Sequence, residues 1–453
     1  MDEEPIESHP DGFIGEFKDS ILAKIPTSED WAESIATAIM SASVGKNKFV
    51  MTKVGPLNLN TFFMIVGTSG LANKTTPLKY FARPMIEEIE SVLEQNGSKT
   101  DLTMPSRFSI EGLIEYFSKG NDEGIVIRDE FTSALKDASK DYLADFVEFL
   151  SEVYDCSVQK RYTRAAKLEQ TKRVYISFLG ATTPFLYTIL NPSFFNQGLG
   201  NRLMFCIDVP REAKEENPDV YFSRTSSDDE REVQEQRRTW ALRLVNLRNS
   251  VVRNIVPGEN DGKLLVKFKY ELEREMSDRY NHDQYDLMAP YLARSAEMSF
   301  KLTALHFLSK TYYDPVDLNP VTTLNDAPWA VAKVRRHIDY FKKMLELWRA
   351  RPENFTPKTM DTQASQVTEY LYSRESGVSW SQLRADIKWN NTVWNQVLNF
   401  LYDTGRVKVT LRKQVGPGRP TIVFYDIRNY NKMINQNESV INDWFSLKTY
   451  LHL

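Results

Sequence analysis

Gly67-Thr68-Ser69-Gly70-Leu71-Ala72-Asn73-Lys74-Thr75-Thr76 lies between the apolar run Phe62-Phe63-Met64-Ile65-Val66 and a segment, Pro77 to Glu94, patterned as a helix. Strand, Gly-rich turn, Lys-Thr and helix follow one another in the order of a nucleotide-phosphate cradle. In such a turn, backbone N–H groups point at the phosphates, the lysine neutralises them and the hydroxyl holds Mg²⁺. The usual spacing is G-x-x-x-x-G-K-[ST]; this loop is one residue longer and has Asn73 where glycine is usual. Asparagine tolerates positive φ better than most residues, so the turn stays open to it. The alternative is a glycine-containing loop ahead of an ordinary helix.

Gly124-Ile125-Val126-Ile127-Arg128-Asp129-Glu130 is a short apolar run ending in two carboxylates, the pattern of a buried parallel strand. An Asp at such a strand end holds Mg²⁺, usually through water, and the following Glu polarises the water that attacks a γ-phosphate. The alternative is a strand followed by an acidic helix start, where carboxylates suit the helix dipole. A third strand, Arg173 to Gly180, alternates and closes on Ala181-Thr182-Thr183-Pro184. A polar residue there is placed to sense the γ-phosphate. Next, Phe195-Asn196-Gln197-Gly198-Leu199-Gly200-Asn201-Arg202 delivers one arginine just before the apolar strand Leu203 to Val209. An arginine on a loop beside the sheet suits an arginine finger acting across a subunit interface; a surface arginine capping the strand is the alternative.

These stretches, GTSGLANKTT, IVIRDE, GATTP and GLGNRL, resemble a P-loop ATPase family, a domain of unknown function, found in phage, plasmid and archaeal primase-helicase-like proteins. Their order is also similar to that of ring-forming helicase ATPases of the minichromosome-maintenance type. The resemblance covers roughly residues 25 to 315. It implies an α/β P-loop NTPase core (AAA+/RecA-like, helices on both faces of the sheet) that uses ATP and Mg²⁺. It implies nucleotide contacts at Gly67, Thr68, Ser69, Gly70, Asn73, Lys74, Thr75 and Thr76, with Lys74 on phosphate. It further implies Mg²⁺ contact for Thr75 and Asp129, water activation for Glu130, a sensor at Thr182 or Thr183, and the finger role for Arg202. The longer loop and Asn73 depart from the standard helicase pattern.

The chain has 453 residues, room for two or three domains and a sizeable core. Its net charge of −4 gives no global basic field, so any nucleic-acid contact must come from local patches. Cys156 and Cys206 lack metal-site spacing and read as reduced core residues of a cytoplasmic protein. The histidines form no H-x-x-H or H-E-x-x-H pattern. No apolar stretch approaches the length of a membrane span, and the start is acidic rather than signal-like, so no membrane partner is expected.

Along the chain we expect a disordered acidic tail over 1–13, a helical segment over 14–55, the ATPase core over 56–210 and a helical lid region over 211–351. Within that last region Leu264 to Tyr270 reads as a short strand. Arg294 and Lys301, on one helix face, are candidates to reach the phosphates from the lid; solvated basic residues are the alternative. A linker is expected over 352–361, then a winged helix over 362–430 and a helical tail over 431–453. The winged-helix pattern is three helices, with Val393, Val397, Phe400 and Leu401 inward on the third, followed by strands Arg406 to Leu411 and Thr421 to Asp426. The third helix would turn Asn391, Thr392, Asn395 and Gln396 towards base edges or phosphates, and Arg412, Lys413 and Arg419 on the wing would meet phosphates. Such a domain serves protein contacts equally well. Between the Asp-Glu strand and the next, Lys160, Arg161 and Arg164, with Tyr162, could track a nucleic-acid backbone from a channel-facing loop; a solvated loop is the alternative.

The chain therefore reads as an ATP-hydrolysing nucleic-acid motor, a ring-forming DNA helicase or translocase of a mobile element or of an archaeal or bacterial genome. Its expected partners are DNA and further copies of itself. Two other classes stay open: an ATP-gated DNA-binding replication initiator that does not translocate, and a nucleotide-binding scaffold with little turnover.

Overall fold

The computed structural model describes residues 9–68, 73–106, 108–132, 140–159, 161–162, 167–168, 172–190, 194–195, 198–207, 227–282, 286–311, 320–323, 325–349, 357–374, 376–389, 391–403, 406–412, 421–430 and 438–440. The fold is mixed α/β and divides into two compact units. The first comprises residues 1–66, 73–182 and 191–344; the second comprises 67–72, 183–190 and 345–453.

The first unit opens with α1 (Phe13–Leu22) and α2 (Glu29–Val44), then the hairpin β1 (Phe49–Thr52) and β2 (Gly55–Asn58). The expected tail is shorter than 13 residues: at residues 11 and 12 the chain is already packed. The Asp11 N–H donates to His306 Nε2, and a Cβ on Gly12 would lie 2.1 Å from the Ser309 carbonyl oxygen. Helix α2 starts where Ser28 caps it, accepting from the Trp31 N–H. It is buried on nearly every face, and its small polar residues are satisfied internally, as Thr37 is on the Glu33 carbonyl at 2.7 Å.

The central sheet comprises β3 (Phe62–Val66), β4 (Glu123–Arg128), β7 (Tyr175–Thr182) and β8 (Met204–Ile207), all parallel, in the order β4-β7-β3-β8. Every residue of β3, β7 and β8 is buried. That is why β3 and β8 read as apolar runs: both sheet faces are covered, so no polar face alternates, while β7, which reads as alternating, is buried along its whole length, with Ser177 hydrogen-bonded to Ser41. Beside β4, Thr103 makes a further parallel bridge to Ile125. The chain there passes so close to Gly124 that an added Cβ would sit 2.2 Å from the Leu102 carbonyl oxygen. After β3 come a π-helical turn (Leu78–Ala82), α3 (Arg83–Gln95) and α4 (Ile110–Ser118), the last capped by Ser109. Between β4 and β7 lie α5 (Lys140–Tyr154) and a small antiparallel pair, β5 (Arg161–Tyr162) with β6 (Lys167–Leu168). A short strand β9 (Asn254–Ile255) pairs with β1.

Four long helices follow: α6 (Ser227–Asn249), α7 (Glu259–His282), α8 (Met288–Thr311) and α9 (Asp326–Arg349). Leu264 to Tyr270 is not a strand but lies within α7. Leu265, Phe268 and Leu272 are buried while Val266 and Tyr270 are exposed, which is a helical period. Nor are these helices a lid. Helix α8 is buried on every face from Lys301 to Ser309, the mark of an interior helix, and α9 locks onto α2. Lys333 donates to Glu33 at 2.8 Å and the Tyr340 hydroxyl to Asp30 at 2.5 Å. His337 donates through Nδ1 to the Phe205 carbonyl of β8, and burial keeps its pKa well below the usual range, so the ring stays neutral.

The second unit contains α10 (Pro357–Tyr372), β10 (Val378–Ser379), α11 (Trp380–Asp386), α12 (Asn391–Asp403), β11 (Val407–Arg412), β12 (Thr421–Asp426) and β13 (Glu438–Val440). Helix α10 begins at Pro357, inside the segment expected as a linker; proline is tolerated at a first helical turn. The antiparallel sheet runs β10-β12-β11-β13, so the expected helical tail contains a strand at Glu438–Val440. On α12 the inward stripe is Trp394, Val397, Leu398 and Leu401, with Val393 and Phe400 only partly buried. The face is turned from the expected one because Trp394, between Trp380 and Trp389, takes the centre of this core. Among the described residues, no helix is long and apolar enough to cross a membrane.

Candidate functional site

The carboxyl ends of parallel strands are where open α/β sheets carry ligands, because loops and helix starts converge there. Strand β3 ends at Val66, which pairs with Thr182 at the end of β7. Arg128 ends β4 opposite Gly180, so Asp129 and Glu130 emerge level with Thr182. Because β7 lies between β3 and β4, Thr182 stands between the strand that feeds Lys74 and the strand that feeds Glu130.

Gly67 and Thr68 follow β3 and group with the second unit; Ser69 and Gly70 lie outside the described residues. From Asn73 the chain belongs to the first unit again. Asn73 has φ 41°, the left-handed conformation expected of it, and its side-chain amide donates to the Pro26 carbonyl at 3.1 Å. The Lys74 carbonyl accepts from the Trp31 indole N–H at 3.1 Å. The loop's exit is thereby fastened to the start of α2. Thr75 is exposed, and its carbonyl accepts from the Lys79 N–H, opening the helical segment; Thr76 is half-buried.

Lys74 is only 6% exposed, and burial lowers its pKa, the Glu130 charge offsetting part of that cost. Glu130 accepts at Oε1 from the Thr182 hydroxyl at 3.4 Å, and Thr182, fully buried, also hydrogen-bonds Thr132. The chain Thr132–Thr182–Glu130 orients one carboxylate oxygen beside a buried lysine. Of the two threonines proposed as sensor, Thr182 is thus the one joined to the carboxylate; Thr183 belongs to the second unit.

Asp129 has a partner that sequence reading missed. Arg83, in the first turn of α3, donates to Asp129 Oδ1 at 2.8 Å and to the Ile127 carbonyl at 3.2 Å. Only the helix that returns from the loop to the sheet creates this pair, so no local motif announces it. Arg128 braces the strand end, donating through Nε to the Glu130 carbonyl at 3.2 Å and through a terminal nitrogen to the Ser106 carbonyl at 2.9 Å. Among the described residues, no group of three or more His, Cys, Asp or Glu gathers as a metal site. The oxygen donors supplied here are the exposed Thr75 hydroxyl and the two carboxylates. That sparse set suits Mg²⁺, which keeps several waters and takes one or two carboxylates alongside phosphate oxygens.

Arg202, Arg294 and Lys301 lie elsewhere. Arg202 is on a 3₁₀ turn (Gly200–Arg202) that enters β8, at the amino end of the sheet, and is 8% exposed. Its guanidinium holds Asp155 with contacts of 2.6 and 3.3 Å and donates to the Gly198 carbonyl at 2.9 Å. Lys301 Nζ donates to both the carbonyl and the Oδ1 of Asn60, just ahead of β3. Seven residues of extended chain, about 20 Å, separate Asn60 from Gly67. Arg294 pairs with Glu297 at 2.7 Å and Asp155 at 3.7 Å. Neither Arg294 nor Lys301 reaches its own chain's loop, contrary to expectation. The reason is that α8 packs at the amino end of the sheet, where Lys301 meets Asn60 and the Tyr291 hydroxyl donates to the Leu203 carbonyl.

In the second unit Asn391 accepts from Arg384 at 2.9 Å, and Asn395 is half-buried. Arg412 donates to the Tyr425 hydroxyl at 2.7 Å and the Ser376 carbonyl at 3.1 Å, so it lies along the hairpin instead of projecting from it. Lys160, Arg164, Lys413 and Arg419 lie outside the described residues, as do the side chains of Arg161, Thr392 and Gln396. No protein-family model matches the chain, and no curated protein is similar to it.

Proposed function

We propose that the chain is a P-loop ATPase of the AAA+/RecA-like kind, and that ATP hydrolysis drives a ring-forming nucleic-acid motor. The observation that carries this reading is the meeting of Lys74, Glu130 and Thr182 at the carboxyl ends of three adjacent parallel strands. Burial lowers the Lys74 pKa and the Glu130 carboxylate raises it, so a polyphosphate bound beside this lysine would favour its charged form further. Glu130, aimed by Thr182, takes the proton of the attacking water; Lys74 holds the phosphate charge that grows as the bond breaks. Mg²⁺, held by Thr75 and Asp129, would neutralise the phosphate oxygens. Arg83 pairs with Asp129 at 2.8 Å, so a metal ion taking Asp129 would compete with that arginine.

The second unit supports a nucleic-acid partner less directly. Three helices and a hairpin, with Ser379 capping the second helix, have the makings of a winged helix. DNA is the partner we propose for it.

The test is ATPase activity with and without DNA, alongside strand displacement. A motor gives DNA-stimulated turnover and displacement. DNA binding without displacement would mean a switch, and absence of turnover would leave only a scaffold.

A further inference from the structure

At the amino end of the sheet, one carboxylate joins two guanidinium groups. Asp155 accepts from Arg202 at 2.6 and 3.3 Å and lies 3.7 Å from Arg294. Its side chain is 38% exposed, Arg294's 30% and Arg202's 10%, so Asp155 stands between Arg202 and solvent. Around it, α8 contributes Arg294, Glu297 and Lys301, the turn before β8 contributes Arg202, and the end of α5 contributes Tyr154. Lys301 is 3.9 Å from the Tyr154 ring, and the buried Tyr154 hydroxyl has no hydrogen-bond partner.

The carboxylate is in an electrostatically poor place. Asp155 directly follows α5, whose last turn is closed by the Asp155 N–H on the Ser151 carbonyl and the Ser157 N–H on the Glu152 carbonyl. The carbonyl end of a helix disfavours an anion. What holds Asp155 there is the arginine pair. With Asp155 displaced, Arg202, Arg294 and Lys301 would face Glu297 alone, a net charge of about +2, the complement of a phosphate group.

We propose that Asp155 is an intramolecular stand-in for phosphate: it sequesters Arg202 and Arg294 in the isolated chain, and the terminal phosphate of a nucleotide bound to a second copy displaces it. This rests on the ATPase reading above and adds its regulation: the finger is held back until a nucleotide-loaded neighbour competes for it. The expense of removing Asp155 then opposes assembly and firing of empty subunits.

The experiment is ATPase activity of the full chain as a function of protein concentration. Asp155→Asn should reach half-maximal specific activity at a five- to tenfold lower concentration than wild type, a coupling of about 1 kcal/mol. Asp155→Glu, which keeps the charge, should stay close to wild type. Asp155→Asn in an Arg202→Ala background should bring no gain. Asp155→Ser serves as a second removal of the charge if the Asn variant melts early. Equal concentration dependence in wild type and the charge-removal variants would overturn the latch while leaving the ATPase reading intact. Full activity in Arg202→Ala would overturn the role of the pair. No turnover in wild type at any concentration would instead remove the ATPase reading itself.

Discussion

Lys74 and Glu130 make separable demands. Lys74→Ala should abolish nucleotide binding or weaken it severely, as measured with a fluorescent ATP analogue. Glu130→Gln should keep that binding and lose turnover by roughly a hundred- to ten-thousandfold, the usual worth of a general base. Full turnover in Glu130→Gln would remove the role assigned here. Thr182→Val is a finer probe, because it keeps shape and deletes only the hydroxyl between Thr132 and Glu130. A hydrogen bond to a charged group is worth ~1.5–3 kcal/mol, so kcat should fall at least about tenfold while the KM for ATP hardly moves. A raised KM with unchanged kcat would make Thr182 a packing residue only.

Strands β3 and β4 were legible because burial makes each read as an apolar run followed by polar residues, Lys-Thr beyond β3 and Asp-Glu after β4, and β7 because its alternating, β-rich stretch closes on Thr182. Leu264 to Tyr270 deceived because β-branched and aromatic residues crowd one helical stretch, and only its burial at 265, 268 and 272 tells the period. The α12 face slipped because Trp394 outranks its valine neighbour once Trp380 and Trp389 are brought beside it. Arg83–Asp129 and Arg202–Asp155 were not legible at all, since both join residues about 46 apart through the fold. One consequence at this scale concerns the turn before β8. Arg202→Ala should bind ATP yet hydrolyse poorly, and mixing it with Lys74→Ala protein should restore part of the activity, because some interfaces then combine an intact loop with an intact arginine. A wild type that stays monomeric with ATP would exclude this.

At the scale of the whole molecule, two buried lysines set a pH dependence. Burial pushes Lys301 and Lys48 down to about 8; Lys301 donates to Asn60, and Lys48 donates to the Val252 carbonyl at 2.6 Å. Below pH 8 both stay protonated in the folded and the unfolded chain, and the folded chain bears the full cost of the buried charge. Between about 8 and the unfolded value of 10.5 the unfolded chain holds more protons, so these groups make stability rise with pH. Buried Cys156 and Cys206, pushed up to about 12, work in the opposite direction above pH 9. Because Lys301 also acts on Cys156, the comparison with Lys301→Met is made below the range where thiols ionise: the melting midpoint of wild type relative to that variant should climb from pH 7.5 to 9, the whole interval up to 10.5 being worth on the order of 3 kcal/mol. A constant difference would mean that Lys301 binds its proton equally in the folded and the unfolded chain, its pKa not lowered by burial. The sheet itself carries one more consequence. Strand β3 leads towards Lys74 at the carboxyl end of the sheet and Arg202 lies at its amino end, so on the proposed reading each copy would carry a socket and a plug at opposite poles of the sheet. Copies joined pole to pole form an open row with an idle socket at one terminus and an idle plug at the other, or a circle with neither. Specific activity per subunit would therefore rise with row length, as one idle socket is shared among more copies, and reach its limit only when the circle closes and no socket is idle.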